Sequence, residues 1–584
     1  MILLYSIIIF ILIVILIILL AMTAKQIVIK GGSEDDFPYK KYDIKKDDLI
    51  ARFQNLRKYE PKFVKTSYRV YNLKDFQNFE FAYNPSASPV ILELHSEDYE
   101  KYNLISDYFT EPERLRARRS DGISTYDFWQ QNKHKIKSTT NYDKREEVYK
   151  LHYEVTTFRP TNLVAMIKKF KSTRILDFSS GWGDRLIAAM AANVEMYIGV
   201  DPNSALHIKY KEIEDFFRQY SDTKINMINS PFEVLDLKET YDLVFTSPPY
   251  FDLEIYTDEK TQSINHSDWY NDFLLVSIKK AWKNLVENGY MVLVINDSPA
   301  MSKPVIRRMI QDINMFQDSI YFGVISYAEN MRSPQPMWIW KKHKIDVETV
   351  TLDEIEKNVY IMRDDLLAGG TKSRAYKACE NVVENELIYA GPNIGYAQCA
   401  LPVICKIFNK KATIFIESLT NISYRARMLG VNIHVCPKYN LEMLQNAAKK
   451  YAPKDSFIVP FGLDDDKFVH ELYENLNRNW DKSIIPDHVW CTAGSGTLLK
   501  VLYKLFPKAY FHVIQVGKKI WDDQLDLTRS KLYVAPQKFW ESTSKLPPYP
   551  SIPQYDGKLW QFFEKEAGIN LIWNVGSDVI DFTQ

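Results

Sequence analysis

The sequence predicts an α/β protein in which two successive α/β units follow an N-terminal membrane-spanning helix. The chain has 584 residues, too many for a single hydrophobic core. From about residue 150, short apolar runs of strand type alternate with helical stretches, which is the pattern of parallel sheets with helical crossovers. The first segment of the chain, by contrast, is almost entirely apolar.

This apolar segment runs from Leu3 to Met22 without a charged residue. About 20 residues at about 1.5 Å each match a hydrocarbon core of about 30 Å. A cleaved signal peptide has a basic start and a shorter apolar run, and a core helix has a polar face. We therefore predict a single-pass membrane anchor over residues 1–23. Lysines just after it, beginning with Lys25 and Lys30, place the rest of the chain on the cytoplasmic side.

Overall charge gives no indication of a partner, because Lys plus Arg and Asp plus Glu are both 74. Any nucleic-acid surface must therefore be a local patch. The five cysteines form no CxxC pair, which indicates a reducing compartment and idle thiols. No metal site is predicted.

Residues 24–149 are predicted to be a tether followed by a helical or mixed extension. The stretch 111–119 places a proline before several arginines, which suggests a helix with a basic end. Such a helix end either contacts phosphates or is a solvated face. Both interpretations remain open from the sequence.

The first α/β unit is predicted over residues 150–345, where a lysine-rich run marks its end. Its strands are short apolar runs in the sequence. They are predicted at 174–178, 196–201, 241–246, 290–295 and 338–340.

A glycine turn follows the first of these strands. Gly181 and Gly183 lie between Asp177 and a helical stretch, and glycines there allow a tight turn and close approach to a ligand. About 20 residues later, Asp201 ends the next strand, where a carboxylate can hold a ribose diol. The turn and the spaced acid together predict a nucleotide-type cofactor site.

A second motif, Ser247-Pro248-Pro249-Tyr250, ends a later strand. Prolines fix φ and remove backbone donors, so carbonyl groups remain to accept hydrogen bonds from a planar NH2 group. The Tyr250 ring can stack on a flat base that has been extruded from its helix. The pair of motifs predicts transfer of a group to an exocyclic amine.

Together these motifs resemble the class I S-adenosylmethionine-dependent DNA amino-methyltransferases, which form N6-methyladenine or N4-methylcytosine. The resemblance implies a Rossmann-like sheet over residues 150–345. It also implies that the cofactor's methionine part lies against Asp177, Gly181 and Gly183, its ribose against Asp201, and its adenine near Phe232.

By the same resemblance, Ser247, Pro248, Pro249 and Tyr250 bind the target amino group. The Ser-Pro-Pro-Tyr form is more similar to the cytosine-N4 type. DNA is the favoured target, while an RNA base or a protein glutamine amide offers a similar flat NH2. Only about 60 residues separate the two motifs, so a target-recognition domain is either formed by residues 50–150 or absent.

The second α/β unit is predicted over residues 346–584. Its strands are again short apolar runs. They are predicted at 387–390, 412–416, 431–435, 457–460, 489–491, 510–514 and 571–573.

This unit has its own chemical motifs. Lys372 follows two glycines at the start of a helical run, where the helix dipole lowers a lysine pKa and a neutral amine can form a Schiff base. Asn393 follows a predicted strand. The run Gly494, Ser495, Gly496, Thr497 lies between a strand and a helix and is typical of a phosphate cradle.

These features resemble the fold-type II pyridoxal-phosphate enzymes, which share the tryptophan-synthase-β fold. The branch of aminocyclopropane-carboxylate deaminase and D-cysteine desulfhydrase is the most similar. The resemblance implies that Lys372 holds pyridoxal 5′-phosphate, Asn393 contacts its hydroxyl, Gly494–Thr497 binds its phosphate and Asp556 faces its pyridine nitrogen. The chain departs from the branch at 394–396, where it reads Ile-Gly-Tyr instead of Ser-Asn-His.

The sequence therefore predicts a membrane-anchored fusion of a base methyltransferase with a pyridoxal-phosphate lyase or deaminase that acts on a small amino acid. A non-catalytic anchored scaffold that retains both folds is the alternative.

Overall fold

The computed structural model describes most of the chain. The described residues are 36–65, 91–95, 102–119, 122–152, 154–155, 157–249, 254–255, 268–295, 305–327, 335–517, 519–520 and 525–578. Over these ranges, no helix has both the length and the apolar character needed to cross a membrane. The predicted anchor, residues 1–23, lies outside the described residues, as does Tyr250.

The first half of the chain is built on a nine-stranded mixed sheet, with a separate two-stranded ribbon formed by β3 and β8. The order across the large sheet is β1-β2-β10-β11-β9-β7-β4-β5-β6. The strands of this half are β1 (Lys62–Lys65), β2 (Ile91–His95), β3 (Arg118–Arg119), β4 (Arg174–Asp177), β5 (Met196–Val200), β6 (Lys224–Ile228), β7 (Tyr241–Thr246), β8 (Glu254–Ile255), β9 (Leu285–Val294), β10 (Ser319–Tyr327) and β11 (Gln335–Lys342).

Strands β9, β7, β4, β5 and β6 are parallel, whereas β11 is antiparallel to both of its neighbours. The chain passes from β4 outward through β5 to β6, and then returns to β7 on the other side of β4. The order therefore reverses between β4 and β7, and ligands of open α/β sheets bind in the crevice at such a switch point.

Helices cover both faces of this sheet. Side chains alternate along β4, so Ile175 packs on one face and Leu176 on the other. The helices of this half are α1 (Lys46–Arg57), α2 (Leu104–Arg114), α3 (Thr125–Asn132), α4 (Asn141–Leu151), α5 (Pro160–Phe170), α6 (Asp184–Ala192), α7 (Ser204–Phe217), a π-helix (Tyr270–Leu274), α8 (Leu275–Asn284) and α9 (Ile306–Asn314).

The predicted helix with a basic end at 111–119 is wrong. Helix α2 ends at Arg114, and Arg118–Arg119 form β3. Arg114 is buried and pairs with Asp107 at 2.7 Å and Glu154 at 2.5 Å, so it is not a phosphate ligand. These buried ion pairs fix the end of α2, and the local pattern of the sequence does not reveal them.

The second half contains two parallel-rich sheets. The larger has the order β12-β13-β21-β18-β19-β20, with only β12 antiparallel, and the smaller has the all-parallel order β16-β15-β14-β17. The strands are β12 (Leu352–Glu356), β13 (Val359–Arg363), β14 (Glu386–Ala390), β15 (Lys411–Ile416), β16 (Asn432–Val435), β17 (Ser456–Ile458), β18 (His488–Ala493), β19 (Tyr510–Gln515), β20 (Ser530–Val534) and β21 (Asn570–Asn574).

One continuous core joins these two sheets, since Ile414 of the small sheet and Val489 of the large sheet belong to the same buried cluster. Short 3₁₀ segments complete the walls, notably Thr371–Cys379 and Asp556–Gln561. The α-helices are α10 (Ala397–Ile407), α11 (Asn421–Met428), α12 (Leu441–Tyr451), α13 (Asp466–Asn479) and α14 (Thr497–Leu505).

The two halves meet at a buried lysine. Lys406 on α10 donates to the carbonyl oxygens of Asn314 and Phe316, at 2.5 and 2.9 Å, and to the Ser319 hydroxyl at 3.0 Å. The helix of the second half is thereby tied to the turn between α9 and β10 of the first half. The α/β architecture with parallel sheets predicted from the sequence is confirmed, whereas the domain boundaries remain a prediction.

Candidate functional site

The second half encloses a cavity of about 550 Å³, within the range of small-molecule sites. Its lining includes Lys372 and the whole run Gly494–Thr497. These two motifs are more than a hundred residues apart in the sequence, and the fold brings them to one space. The cavity is therefore the place where Lys372 and the turn 494–497 meet.

Lys372 is the second residue of the 3₁₀ segment Thr371–Cys379, at the start of a helical run as predicted. Its ammonium group donates to the carbonyl oxygen of Gly462. Burial lowers the pKa of Lys372 to about 8, and Asp464 opposes this shift only in part. The predicted direction of the pKa shift holds, but desolvation is its main cause instead of a helix dipole.

The phosphate-type turn links β18 to α14. Gly496 has φ +90°, a conformation that side chains disfavour, and caps the helix. The Ser495 and Thr497 hydroxyls are 2.9 Å apart. Among the described residues, no acceptor faces the backbone N–H groups of Ser495, Gly496 and Thr497. Free N–H groups at a helix start, with two hydroxyls beside them, fit a phosphate group.

Asp556 is buried directly behind the cavity wall. Its carboxyl accepts from the Thr492 hydroxyl at 2.7 Å and from the backbone N–H groups of Val575 and Gly576 at 3.1 and 3.3 Å. Burial raises the pKa of Asp556 to about 8. Thr492 and Val575 line the cavity and Asp556 itself does not. Its contact with a pyridine nitrogen remains a prediction.

Asn393 also lies beside the cavity without lining it. Its amide donates to the Ser418 hydroxyl at 2.6 Å, while its neighbours Pro392 and Gly395 do line the space. Sequence reasoning overlooked three tyrosines that contribute to the wall, and only their positions next to glycine-containing motifs could have pointed to them. They are Tyr389, Tyr396 and Tyr555.

The first half presents a second candidate site at its switch point. The Thr246 hydroxyl at the end of β7 donates to Asp177 at the end of β4 over 2.9 Å. The same carboxylate accepts from Arg185 at 2.6 Å and from Tyr197 at 2.8 Å. Asp177 therefore joins the two strands on either side of the crevice and anchors the glycine turn.

The glycine turn has the predicted shape. Gly181 and Gly183 have φ +58° and +89°. The Gly181 N–H donates to Asp201 at 2.8 Å, and the Tyr210 hydroxyl donates to the Gly181 carbonyl oxygen. Burial raises the pKa of Asp201 to about 6. The turn and the acid that ends β5 are thus in direct contact, while the predicted role of Asp201 in holding a ribose remains a prediction.

Helix α5 adds polar groups that sequence reasoning overlooked. Among the described residues, both polar atoms of the Asn162 amide and the hydroxyl of Thr161 are buried without a hydrogen-bond partner. They lie in the first turn of α5, and Phe158 just before it donates its N–H to Asp184 of α6 at 3.2 Å. Unpaired buried polar atoms beside a glycine turn fit a polar ligand that pairs with them.

The N-terminal extension also reaches this turn. Ser106 on α2 donates to Asp184, and Thr110 donates to the Trp182 carbonyl oxygen at 2.9 Å. Burial raises the pKa of Asp184 to about 7. The extension is therefore part of the wall behind the glycine turn.

The structure describes most of the remaining residues predicted for the first site. Ser247, Pro248 and Pro249 follow β7 at the crevice, with Pro248 buried. Phe232 is buried and stacks on Phe178, with ring centroids 5.1 Å apart. Its predicted contact with an adenine ring remains a prediction.

Comparison with protein-family models finds no match, and comparison with curated proteins finds none either. Among solved structures, an ACC deaminase homologue is 14% identical over 40% of this chain and 91% of its own, with a TM-score of 0.34. Threonine deaminase isoform 2 from Solanum lycopersicum is 15% identical over 40% and 80%, with a TM-score of 0.30. A hydrogen sulfide-producing enzyme from Fusobacterium nucleatum is 15% identical over 40% and 98%, with a TM-score of 0.32. Similarity of this degree carries no inference about activity.

Proposed function

We propose that the second half is a fold-type II enzyme that binds pyridoxal 5′-phosphate and acts on an amino acid as a lyase or deaminase. One observation carries the proposal: Lys372 lines the same cavity as residues 495–497, whose backbone N–H groups have no hydrogen-bond partner among the described residues. An amine and a phosphate cradle are the two fixed points that this cofactor requires.

When bound, pyridoxal phosphate withdraws electrons from the carbon next to the substrate's amino group. The chain supplies the remaining elements. The turn at Gly494–Thr497 holds the phosphate and sets the orientation of the ring. The pKa of Lys372, near 8, allows its amine to take up and return a proton near neutral pH. The apolar walls keep water away from the reacting carbon.

The experiment is to load the purified chain with pyridoxal phosphate and to record its visible spectrum before and after borohydride. We expect a yellow chromophore that borohydride bleaches, because reduction fixes the cofactor on an amine. Lys372→Ala abolishes the colour, while Lys377→Ala, in the same 3₁₀ segment, retains it. Equal colour in both variants contradicts the proposal.

We further propose that the first half is an S-adenosylmethionine-dependent methyltransferase that acts on an exocyclic amino group. The supporting observation is that the glycine turn after β4 and the Ser247-Pro248-Pro249 motif after β7 flank one switch-point crevice. Asp201 and the unpaired amide of Asn162 fit the polar parts of such a cofactor. Positioning the sulfonium methyl group against an amine needs no strong base.

The target class is part of this proposal: DNA is favoured over RNA or a glutamine amide. Transfer of a tritiated methyl group to each of the three, with Tyr250→Ala as the inactive control, discriminates among them. Incorporation into DNA that the variant abolishes supports the proposal. Incorporation into none of the three by a chain that binds the cofactor supports the scaffold alternative.

The anchor at 1–23 and the cytoplasmic position of both halves also belong to the proposal. A chain that lacks residues 1–23 is expected to leave the membrane fraction on centrifugation, whereas the full chain stays there after alkaline extraction. Release of both chains to the same extent contradicts the anchor.

A further inference from the structure

The charged residues that line the cavity among the described residues are both lysines. Lys372 and Lys538 are its charged lining residues, and no carboxylate lines it among the described residues. Many of the other lining side chains are large and apolar. They include Leu441, Phe461, Leu472, Leu498, Phe539 and Trp540.

The mouth of the cavity exposes several of these apolar groups. Trp540 is 67% exposed, Val534 at the end of β20 is 60% exposed, and Leu441 at the start of α12 is 36% exposed. An exposed Trp at the rim of a cavity offers a large apolar face with a low entropy of ordering. A bound ligand could therefore bury part of the exposed apolar surface of these side chains.

The loop that carries Trp540 is held in place from behind. Lys558 is fully buried and donates to the carbonyl oxygens of Lys538 at 2.8 Å and Phe539 at 3.4 Å. The Phe539 ring lies edge-on to Tyr555, with centroids 6.5 Å apart. The loop is therefore a fixed wall, and Lys558 is its positioning residue.

We infer that this cavity selects an amino acid with an uncharged, bulky apolar side chain, which lies against Trp540 on the loop positioned by Lys558. The inference rests on the proposed pyridoxal-phosphate function. A cationic side chain would be desolvated with no carboxylate to pair with it among the described lining residues. For an acidic side chain, the described lining offers Lys538, which is exposed at the mouth where water screens it.

The magnitude of the preference follows from buried methylene groups. Each one adds about fourfold in affinity when it leaves water. Leucine and phenylalanine are therefore expected to bind at least about tenfold more tightly than alanine, even if burial is incomplete. Lysine is expected to bind more weakly than alanine, and aspartate more weakly than leucine.

The test uses the full chain loaded with pyridoxal phosphate and follows the change in visible absorbance on titration with these five amino acids. Trp540→Ala should weaken leucine and phenylalanine about tenfold and leave alanine within about twofold. The matched control is Ile485→Ala, because Ile485 is also 67% exposed but does not line the cavity.

Lys558→Met tests the positioning residue. We expect the chromophore to form normally while the ratio of leucine to alanine affinity falls toward one. A merely structural lysine would weaken both ligands alike, and that result overturns its assignment.

Two failures are distinguishable. If the wild-type chain forms no borohydride-sensitive chromophore, the proposed function fails and the inference fails with it. If the chromophore forms but aspartate or lysine binds as tightly as leucine, only the inference of an apolar substrate is overturned.

Discussion

Asp364 supports the site through a buried ion pair, and its replacement should be costly. Neither Asp364 nor Arg374 has an exposed side chain, and the two are 2.5 Å apart. Asp364 also accepts from the Thr371 hydroxyl at 2.6 Å, immediately before Lys372. Asp364→Ala leaves the guanidinium buried without its counter-ion, and breaking such a pair costs about 3–5 kcal/mol.

A cost of this size lowers the apparent Tm by about 6–20 °C for a unit of 150–250 residues, at about 2–4 °C per kcal/mol. Thermal denaturation followed by circular dichroism measures it. The control is Asp353→Ala, because Asp353 is 44% exposed in its pair with Arg363 and should cost at most about 1 kcal/mol. Equal Tm values for the two variants would refute the reasoning, as would full pyridoxal-phosphate loading of Asp364→Ala with wild-type stability.

Three further predictions concern charge, backbone and the contact between the halves. Because burial lowers the pKa of Lys372 to about 8, its neutral fraction rises from about 9% at pH 7 to about 91% at pH 9. The rate of pyridoxal-phosphate attachment should therefore rise about tenfold and then level off, whereas a continuing rise above pH 9 would contradict this pKa. Gly183→Ala should weaken S-adenosylmethionine binding in calorimetry, because an alanine is strained at φ +89° in the turn after β4, whereas Gly122→Ala, strained at φ +78° outside that turn, should bind normally. Lys406→Ala removes three hydrogen bonds, two of them buried, so the interface should lose about 2–4 kcal/mol. Limited proteolysis between the halves should accelerate, and an unchanged cleavage rate would show that the lysine does not hold them together.

Much of the strand pattern could be predicted from the sequence, because buried parallel strands consist of short runs of apolar residues. The run at 241–246 coincides with β7, and that at 412–416 differs from β15 by one residue. The sequence analysis does not predict β13. Asn358, which adopts φ +65°, lies in the turn that joins β12 to β13. The helix at 111–119 was placed too far along the chain because long-range ion pairs, not local propensity, fix the end of α2.

Some parts of the candidate sites could likewise be predicted from the sequence, and others could not. Glycine turns such as 494–497 have a local signature, so the sequence predicts them and the fold brings them to Lys372. Asp364 pairs with the side chain of Arg374, and Lys558 donates to backbone carbonyl oxygens of the loop at the cavity mouth. Such contacts depend on tertiary packing, and no spacing in the sequence encodes them.

The most direct test of the central proposal is a crystal structure of the full chain grown with pyridoxal phosphate. The account predicts electron density continuous with the Lys372 amine and a phosphate bound by the N–H groups of 495–497. Cofactor bound elsewhere, or a phosphate held by other residues while Lys372 remains on the Gly462 carbonyl, would contradict it.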